Sequence, residues 1–362
     1  MSDSPLAPGA TVGILGGGQL GRMLAIACAR LGLHAHIYEP GGERPPPAAE
    51  VARHWTDAAY GDDAALDAFA AACDVVTLEF ENIPVATVER LARRVPVRPG
   101  ARALAVAQDR AAEKTFIAET GLSPAPWAAV DGPGDIAAAL AATGTPAILK
   151  TRRLGYDGKG QARIADAAGA EAAWAAIGAE PAVLEATIPF TAELSVIVAR
   201  GADGTVAAFD PGRNEHEHGI LRRTTVPAGL TARVLQDAVL AAGRLATALD
   251  YVGVMGVELF VAPGGRLIVN EIAPRVHNTG HWTIEACATD QFAQHIRAVA
   301  GWPLADARRH ADAVMTNLLG DEIDALAAHA AEPGVAIHHY GKGAARPGRK
   351  MGHITRLAPL SG

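Results

Sequence analysis

Gly155, Gly158 and Gly160 punctuate the run Gly155-Tyr156-Asp157-Gly158-Lys159-Gly160-Gln161, and Lys150-Thr151-Arg152-Arg153 stands just before it. Residues without a Cβ let successive main-chain N–H groups close over oxyanions, while Lys150 and Lys159 bring point charges to the same place. A plain solvated turn, the alternative reading, needs no such cations. Further along, an apolar run over 253–261 and another ending in Asn270-Glu271 flank Gly264-Gly265, the pattern of a hairpin. If those glycines form its turn, Glu258 and Glu271 lie opposite each other on one face. Facing carboxylates repel unless a cation sits between them, and oxygen-only ligation suits Mg²⁺ that also binds substrate phosphates. Asn270 and Asn278 could add neutral oxygens. A slipped register that parts the glutamates is the alternative here. Taken together, loop and hairpin point to a bound nucleoside triphosphate.

Other groups are more ambiguous. Gly16-Gly17-Gly18-Gln19-Leu20-Gly21 satisfies the dinucleotide fingerprint, and Glu39 follows at the end of the next apolar run. The same turn suits another phosphate ligand at a helix N-terminus, or simply close strand–helix packing. Glu185, ending an apolar strand, could accept from an adenine amino group or a ribose hydroxyl. The run Arg213-Asn214-Glu215-His216-Glu217-His218 invites zinc, but no third histidine has ligand spacing and the alternation also suits a solvated strand. Arg275, His277 and His281 directly follow the hairpin, which favours a place near substrate over one in the core.

The elements that must position these groups alternate. A strand over 11–15, the glycine turn, a helix with apolar Leu20, Met23, Leu24, Ala27 and Leu31, and strands over 35–38 and 74–80 describe an open parallel α/β domain spanning 1–107. Helix 108–120, ended by Gly121 and the rigid Ser123-Pro124-Ala125-Pro126, opens a second domain, 108–187, with strands over 147–150 and 183–186. The remainder, 188–362, carries strands over 193–200 and 253–261, a helix over 231–249, helices near 284–300 and 321–331, and a basic stretch from 341 to 350. With 362 residues, 49% hydrophobic and a net charge of −7, the chain is long enough for two or three domains and too apolar for disorder. The acidic balance argues against nucleic acid or an anionic membrane as partners. No run approaches the ~18 apolar residues of a spanning helix and the N-terminus lacks a signal pattern, so a cytoplasmic protein is expected. Cys28, Cys73 and Cys287 are scattered, as reduced thiols are.

Four segments carry a resemblance: Leu15–Leu24 (LGGGQLGRML), Lys150–Gln161 (KTRRLGYDGKGQ), Asn270–Trp282 (NEIAPRVHNTGHW) and Arg346–Ile354 (RPGRKMGHI). With them the chain resembles the ATP-grasp superfamily, and within it the N5-carboxyaminoimidazole ribonucleotide synthetase family, nearly end to end. The resemblance implies an α/β ATP-grasp fold of three domains: an N-terminal Rossmann-like parallel sheet, a small lid and a C-terminal α+β domain with a basic final segment. It implies ATP between lid and C-terminal domain, met by Arg110, Lys150, the loop Gly155, Tyr156, Asp157, Gly158, Lys159, Gly160 and Gln161, then Glu185, Ala186, Thr187, Ile188, Glu193, His216, Asn270 and Glu271. Glu258 and Glu271 match the family's Mg²⁺ ligands. Gln19, Leu20, Glu79, His277, Asn278, Lys342 and Arg349 match its ribonucleotide site, which turns the first glycine loop toward a substrate rather than NAD. Asp157, with Tyr156 and Lys159 beside it, would handle the amine's proton, and Arg275 would hold bicarbonate. The implied reaction carboxylates 5-aminoimidazole ribonucleotide through carboxyphosphate, in a homodimer. An NAD-linked oxidoreductase, a non-catalytic nucleotide sensor and another ATP-grasp ligase are the competing readings.

Overall fold

The computed structural model describes residues 4–42, 44–155 and 159–361. Its first sheet is parallel throughout, β1 (Thr11–Leu15), β2 (His34–Tyr38), β3 (His54–Thr56) and β4 (Val75–Leu78), in the order β3-β2-β1-β4. Around it lie α1 (Gln19–Arg30), α2 (Asp63–Ala71), α3 (Val85–Ala92) and α4 (Ala101–Ala107). Strands covered on both faces must be apolar along their length, and β1 and β4 are buried almost end to end.

Asp109 accepts from the N–H groups of Ala111 and Ala112 and so starts α5 (Arg110–Glu119). A small antiparallel sheet follows, β5 (Trp127–Val130), β6 (Ala147–Thr151), β7 (Gln161–Ile164) and β8 (Ala182–Ala186), in the order β5-β8-β6-β7. With α6 (Ile136–Thr143) and α7 (Ala170–Ala176) it encloses its own core, which includes Ile136, Leu149, Ile164, Trp174 and Leu184. The glycine loop connects β6 to β7, the outer hairpin of this sheet.

A nine-stranded sheet completes the chain. Its elements are β9 (Ala192–Arg200), β10 (Val206–Ala208), β11 (Gly212–Glu217), β12 (Ile220–Val226), α8 (Ala232–Ala248), β13 (Gly253–Val261) and β14 (Leu267–Ala273), then α9 (Thr283–Ala286), α10 (Gln291–Val299), β15 (Ala311–Leu319), α11 (Leu326–Ala330), β16 (Val335–His339) and β17 (Lys350–Pro359). The main path runs β14-β13-β9-β11-β12-β15-β17-β16. The helix expected near 284–300 is two, because Asp290 caps Phe292 and Ala293 and starts α10 afresh. The one expected at 321–331 is a 3₁₀ turn, Gly320–Ala325, before the short α11. The basic stretch joins β16 to β17, two strands the sequence reading did not anticipate. Among the described residues no helix is long and apolar enough to cross a membrane.

The first and third sheets share a core. Phe292, Ile296 and Val299 of α10 pack in one cluster with Val12, Ile14 and Leu24 on one side and Val254 and Ile197 on the other. A polar pin lies within it: His295 Nδ1 accepts from Val254 N at 2.9 Å while its Nε2 meets Thr77 Oγ1 at 2.7 Å. Accepting at Nδ1 fixes the neutral Nε2–H tautomer, and burial pushes this imidazole down to about 3. Buried His281 and His353 are likewise held well below the ordinary histidine range by burial. An unfolded imidazole, at roughly 6.5, takes up a proton that the folded one refuses, so stability is full above about pH 6.5 and declines as pH falls. The melting temperature is therefore expected to drop steadily between about pH 6.5 and pH 5, each such histidine contributing up to ~1.4 kcal/mol per pH unit. His295→Gln should flatten that slope by about one proton; a variant whose slope equals that of wild type would refute the assignment.

Candidate active site

Register puts the two acidic groups together. Glu258 of β13 pairs directly with Glu271 of β14. The route differs from the simple two-residue turn: the connection occupies 262–266, which displaces the pairing by one residue, and a bulge at Glu258/Leu259 restores it. Leu259 faces Val269 while Glu258 faces Glu271, leaving Asn270 as the extra residue. His277 joins them, its Nε2 3.8 Å from Glu258 Oε1, and one ligand atom from each of Glu258, Glu271 and His277 lies within 4.8 Å of the others. The loop carrying His277 comes this close because Gly256 has no side chain: a Cβ there would stand 2.7 Å from that of His277. Burial first, then the Glu271 charge, push Glu258 up to about 7. Hard carboxylate oxygens held against their mutual repulsion in a half-dry cleft fit a Mg²⁺ ion.

Within electrostatic reach of Arg110 lies a buried group of two lysines around one carboxylate. Glu185 of β8 is 3% exposed and holds Lys150 Nζ of β6 at 3.0 Å through Oε2. Its Oε1 lies 3.1 Å from Lys114 Nζ, an ion-pair distance without hydrogen-bond alignment. Burial acts to raise the Glu185 carboxyl, but Lys150 and then Lys114 overcome it and hold the group at about 2. Its carboxylate, expected as an acceptor for nucleotide, is committed to lysines. Arg110 Nη1 approaches Glu271 Oε2 at 3.6 Å, and its Nη2 reaches Gly155 O at 3.5 Å, so one side chain spans hairpin and loop. Glu113 Oε1 accepts from Ile272 N at 2.6 Å. Tyr156, Asp157 and Gly158 lie outside the described residues; Thr151 N donates to Gly160 O at 2.8 Å, closing the base of the loop, and Gln161 pairs with Lys150. Glu193 and His216 bond to each other across β9 and β11, so the His–Glu run is a strand.

The first glycine turn is filled from within. Glu79 Oε1 accepts from Gly18 N at 2.6 Å and Oε2 from Gly21 N at 2.7 Å, where a dinucleotide pyrophosphate would sit. A Cβ at Gly18 would stand 2.8 Å from that carboxylate. Here the glycines admit a side chain of the protein itself, and Gln19 and Leu20 begin α1 immediately behind it. Glu39 is bonded by the Tyr60 hydroxyl.

Arg275 is not a free guanidinium: it makes a two-pronged pair with Glu81. His277 N donates to Gln291 Oε1 at 2.9 Å, and Asn278 and Asn317 exchange amide hydrogen bonds. His281, expected near substrate, is fully buried, its Nδ1 accepting from Gln291. Lys342 Nζ donates to Lys350 O at 2.8 Å and lies 5.5 Å from the Tyr340 ring centroid; Arg349 donates to Ala344 O. Lys350, overlooked as a site residue, lowers Glu258 through its charge. A second grouping, Glu285, His338 and His353, also has ligand atoms within 4.8 Å. Its two imidazoles are stacked 4.4 Å apart at 11°, so their in-plane lone pairs run side by side rather than converging on a metal.

Sequence reasoning missed Lys114, Glu113, Glu81 and Lys350. Lys114 follows Arg110 by one helical turn, a spacing that puts both on one face, and Glu81 shares strand parity with Glu79. Those were the available signals.

Comparison with known proteins agrees along the whole chain. Residues 9–108 match the ribonucleotide synthetase preATP-grasp domain, 115–292 the ATP-grasp domain, and 313–360 the phosphoribosylaminoimidazole carboxylase C-terminal domain. The N5-carboxyaminoimidazole ribonucleotide synthase of Brucella melitensis is 52% identical over 99% of both chains, and that of Pseudomonas aeruginosa 42% identical over 95% of this chain and 93% of its own. Among solved structures, the Aspergillus clavatus N5-carboxyaminoimidazole synthase in complex with ADP and 5-aminoimidazole ribonucleotide superposes with a TM-score of 0.91 at 31% identity, covering 97% of this chain and 94% of that one. An ADP complex of N5-carboxyaminoimidazole ribonucleotide synthetase superposes with a TM-score of 0.94 at 38% identity, covering 98% and 94%. The chain belongs to the N5-carboxyaminoimidazole ribonucleotide synthase family of ATP-grasp ligases.

Glu258→Gln tests the paired carboxylates. An amide is isosteric with the protonated acid that burial already favours, so the metal-free protein should melt within about 1 kcal/mol of wild type, or above it. Divalent-cation affinity, followed with Mn²⁺ by electron paramagnetic resonance, should fall about tenfold or more. Unchanged Mn²⁺ affinity would remove Glu258 from the metal site.

Proposed function

We propose that this ATP-grasp ligase uses ATP and bicarbonate to carboxylate 5-aminoimidazole ribonucleotide on its amino nitrogen, giving N5-carboxyaminoimidazole ribonucleotide, ADP and phosphate. The observation that carries the reading is the Glu258–Glu271 pair with Arg110 beside it, a guanidinium within electrostatic reach of both Glu185 and Lys150. Membership of the family along the whole chain supports the choice of substrates.

Bicarbonate oxygen attacks the γ-phosphorus and the bond to the β-phosphate oxygen breaks, giving carboxyphosphate and ADP. Both partners are anions, so charge must be neutralised before they meet. Mg²⁺, held by Glu258 and Glu271, would supply that on the phosphate oxygens; Lys150 and Arg110 supply it from the protein. Carboxyphosphate then delivers its carboxyl carbon, directly or as CO₂, to the substrate amine, with release of phosphate and loss of one amine proton. We assign that proton to Asp157, with Tyr156 and Lys159 beside it. The 155–161 loop covers the triphosphate and excludes water, which would otherwise hydrolyse carboxyphosphate.

Arg275 would hold bicarbonate from within its pair with Glu81. Paired with Glu81, it orders the loop leading to His277 and offers bicarbonate only what that pair leaves over. Gln19, Leu20, Glu79, His277, Asn278, Lys342 and Arg349 form the ribonucleotide side, the cationic Lys342 and Arg349 suiting its phosphate. Ala186, Thr187 and Ile188, where the chain passes from β8 toward β9, line the adenine edge. Division into domains 1–107, 108–187 and 188–362, with α5 of the middle segment packed into the core under the large sheet, a homodimeric state and a cytoplasmic location complete the proposal.

Phosphate release is expected only when MgATP, bicarbonate and 5-aminoimidazole ribonucleotide are all present, read by a coupled phosphate assay. Turnover independent of the ribonucleotide would overturn the substrate assignment. Lys150→Ala should depress kcat/KM for ATP by about 100-fold, whereas Lys342→Ala should raise chiefly the ribonucleotide's KM. Equal effects of both changes on both substrates would refute this division.

A further inference from the structure

Lys114 is fully buried, alone among the described lysines and arginines. Its Nζ has no aligned hydrogen-bond acceptor among the described residues, and its one ionic partner is Glu185 Oε1 at 3.1 Å. Sealed from solvent, it cannot touch a ligand in this conformation. What it does, it does through Glu185.

The two partners belong to different bodies. Phe116 and Ile117 root α5 in the core under the large sheet, together with Leu194, Val257 and Ile272. Glu185 stands on the central strand pair of the small sheet, whose core is separate. The residue before Lys114 makes the complementary contact, Glu113 Oε1 accepting from Ile272 N beside the acidic pair. Adjacent residues on a helix project about 100° apart, so one turn of α5 grips the hairpin with Glu113 and the small sheet with Lys114. Arg110, one turn earlier, reaches Glu271 and Gly155 O.

We infer that Glu113 and Lys114 are positioning residues that register the small sheet, and with it Lys150, against the Glu258–Glu271 pair, so that both can meet one triphosphate. The inference rests on the nucleotide reading above. It assigns these residues no contact with substrate. Lys150 shares the Glu185 carboxylate, so fixing Glu185 through Lys114 also fixes the Lys150 ammonium. The consequence is specific to nucleotide, because the ribonucleotide side is built from other elements.

Lys114→Met conserves volume and leaves Glu185 balanced by Lys150, so no uncompensated buried charge remains and the chain should still fold. In steady-state assays of the full chain, KM for MgATP is expected to rise about tenfold or more while KM for the ribonucleotide moves less than about threefold. The rise in melting temperature on adding MgATP should shrink correspondingly. Lys114→Gln, which keeps a donor toward Glu185, should recover part of the loss and serves if the methionine variant is insoluble. Glu113→Leu should mimic Lys114→Met, and Glu113→Gln, which retains an acceptor for Ile272 N–H, should reverse it. A lowered melting temperature with an unchanged MgATP shift and unchanged KM would show a strut for folding only, and would overturn the inference. So would parallel changes in both KM values. Wild-type protein that neither binds nor turns over MgATP would instead sink the nucleotide reading itself.

Discussion

Glu258, largely buried, and Glu271, partly open to solvent, face each other across a strand pair, and that repulsion is the constraint around which the rest is arranged. Burial, and then the Glu271 charge, raise the proton affinity of Glu258. The protein answers from several directions: Arg110 stands against Glu271, and the charges of His216 and Lys350 lower Glu258. None of these closes the gap between the carboxylates. A divalent cation would, and one that brought a triphosphate with it would turn a locally unstable arrangement into a binding determinant.

Acidic side chains do much of the positioning elsewhere. Glu185 gathers Lys150 and Lys114, Glu81 fixes Arg275, Glu113 seizes a strand N–H, and Glu79 fills the first glycine turn. Each is held by hydrogen bonds or a cation that offsets its desolvation, the condition under which a buried carboxylate is tolerable. A protein with net charge −7 can therefore serve anionic substrates, because Glu185, Glu81, Glu113 and Glu79 are each already held by a cation or an N–H group.

The hairpin was legible in sequence because strand alternation and a glycine turn fix which residues share a face. Gly253–Val261 is the strand that the apolar run described. The bulge that rescues the register was not legible: a shifted turn and a compensating extra residue give the same Glu258–Glu271 pairing as no shift at all. Lys114 lay beyond reach for another reason. Its partner is distant along the chain, and an Arg followed one turn later by Lys on a helix ordinarily means a solvated face. Likewise β16 and β17 flank a basic, glycine-rich stretch whose composition says loop, and only the pairing of β17 with β15 and of β16 with β17 makes them strands.

The first glycine turn shows why such a motif cannot name its ligand. Its N–H groups and helix dipole call for a negative charge, and sequence alone specifies no more than that. In this fold the charge comes from the next strand over: β4 pairs with β1, so Glu79, just past the end of β4, arrives beside Gly18 and Gly21. A dinucleotide would have to evict a carboxylate hydrogen-bonded twice, and it would gain only the same N–H groups. The turn thus acts as a socket that fixes Glu79 at the carboxyl edge of the parallel sheet, where open α/β sheets bind their ligands. The same short segment places Glu81 on Arg275, across from the first sheet to the loop after β14. One stretch of chain, Glu79 to Glu81, therefore links the sheet that would receive the ribonucleotide to the loop beside the acidic pair, and does so with two carboxylates that never need to touch the triphosphate.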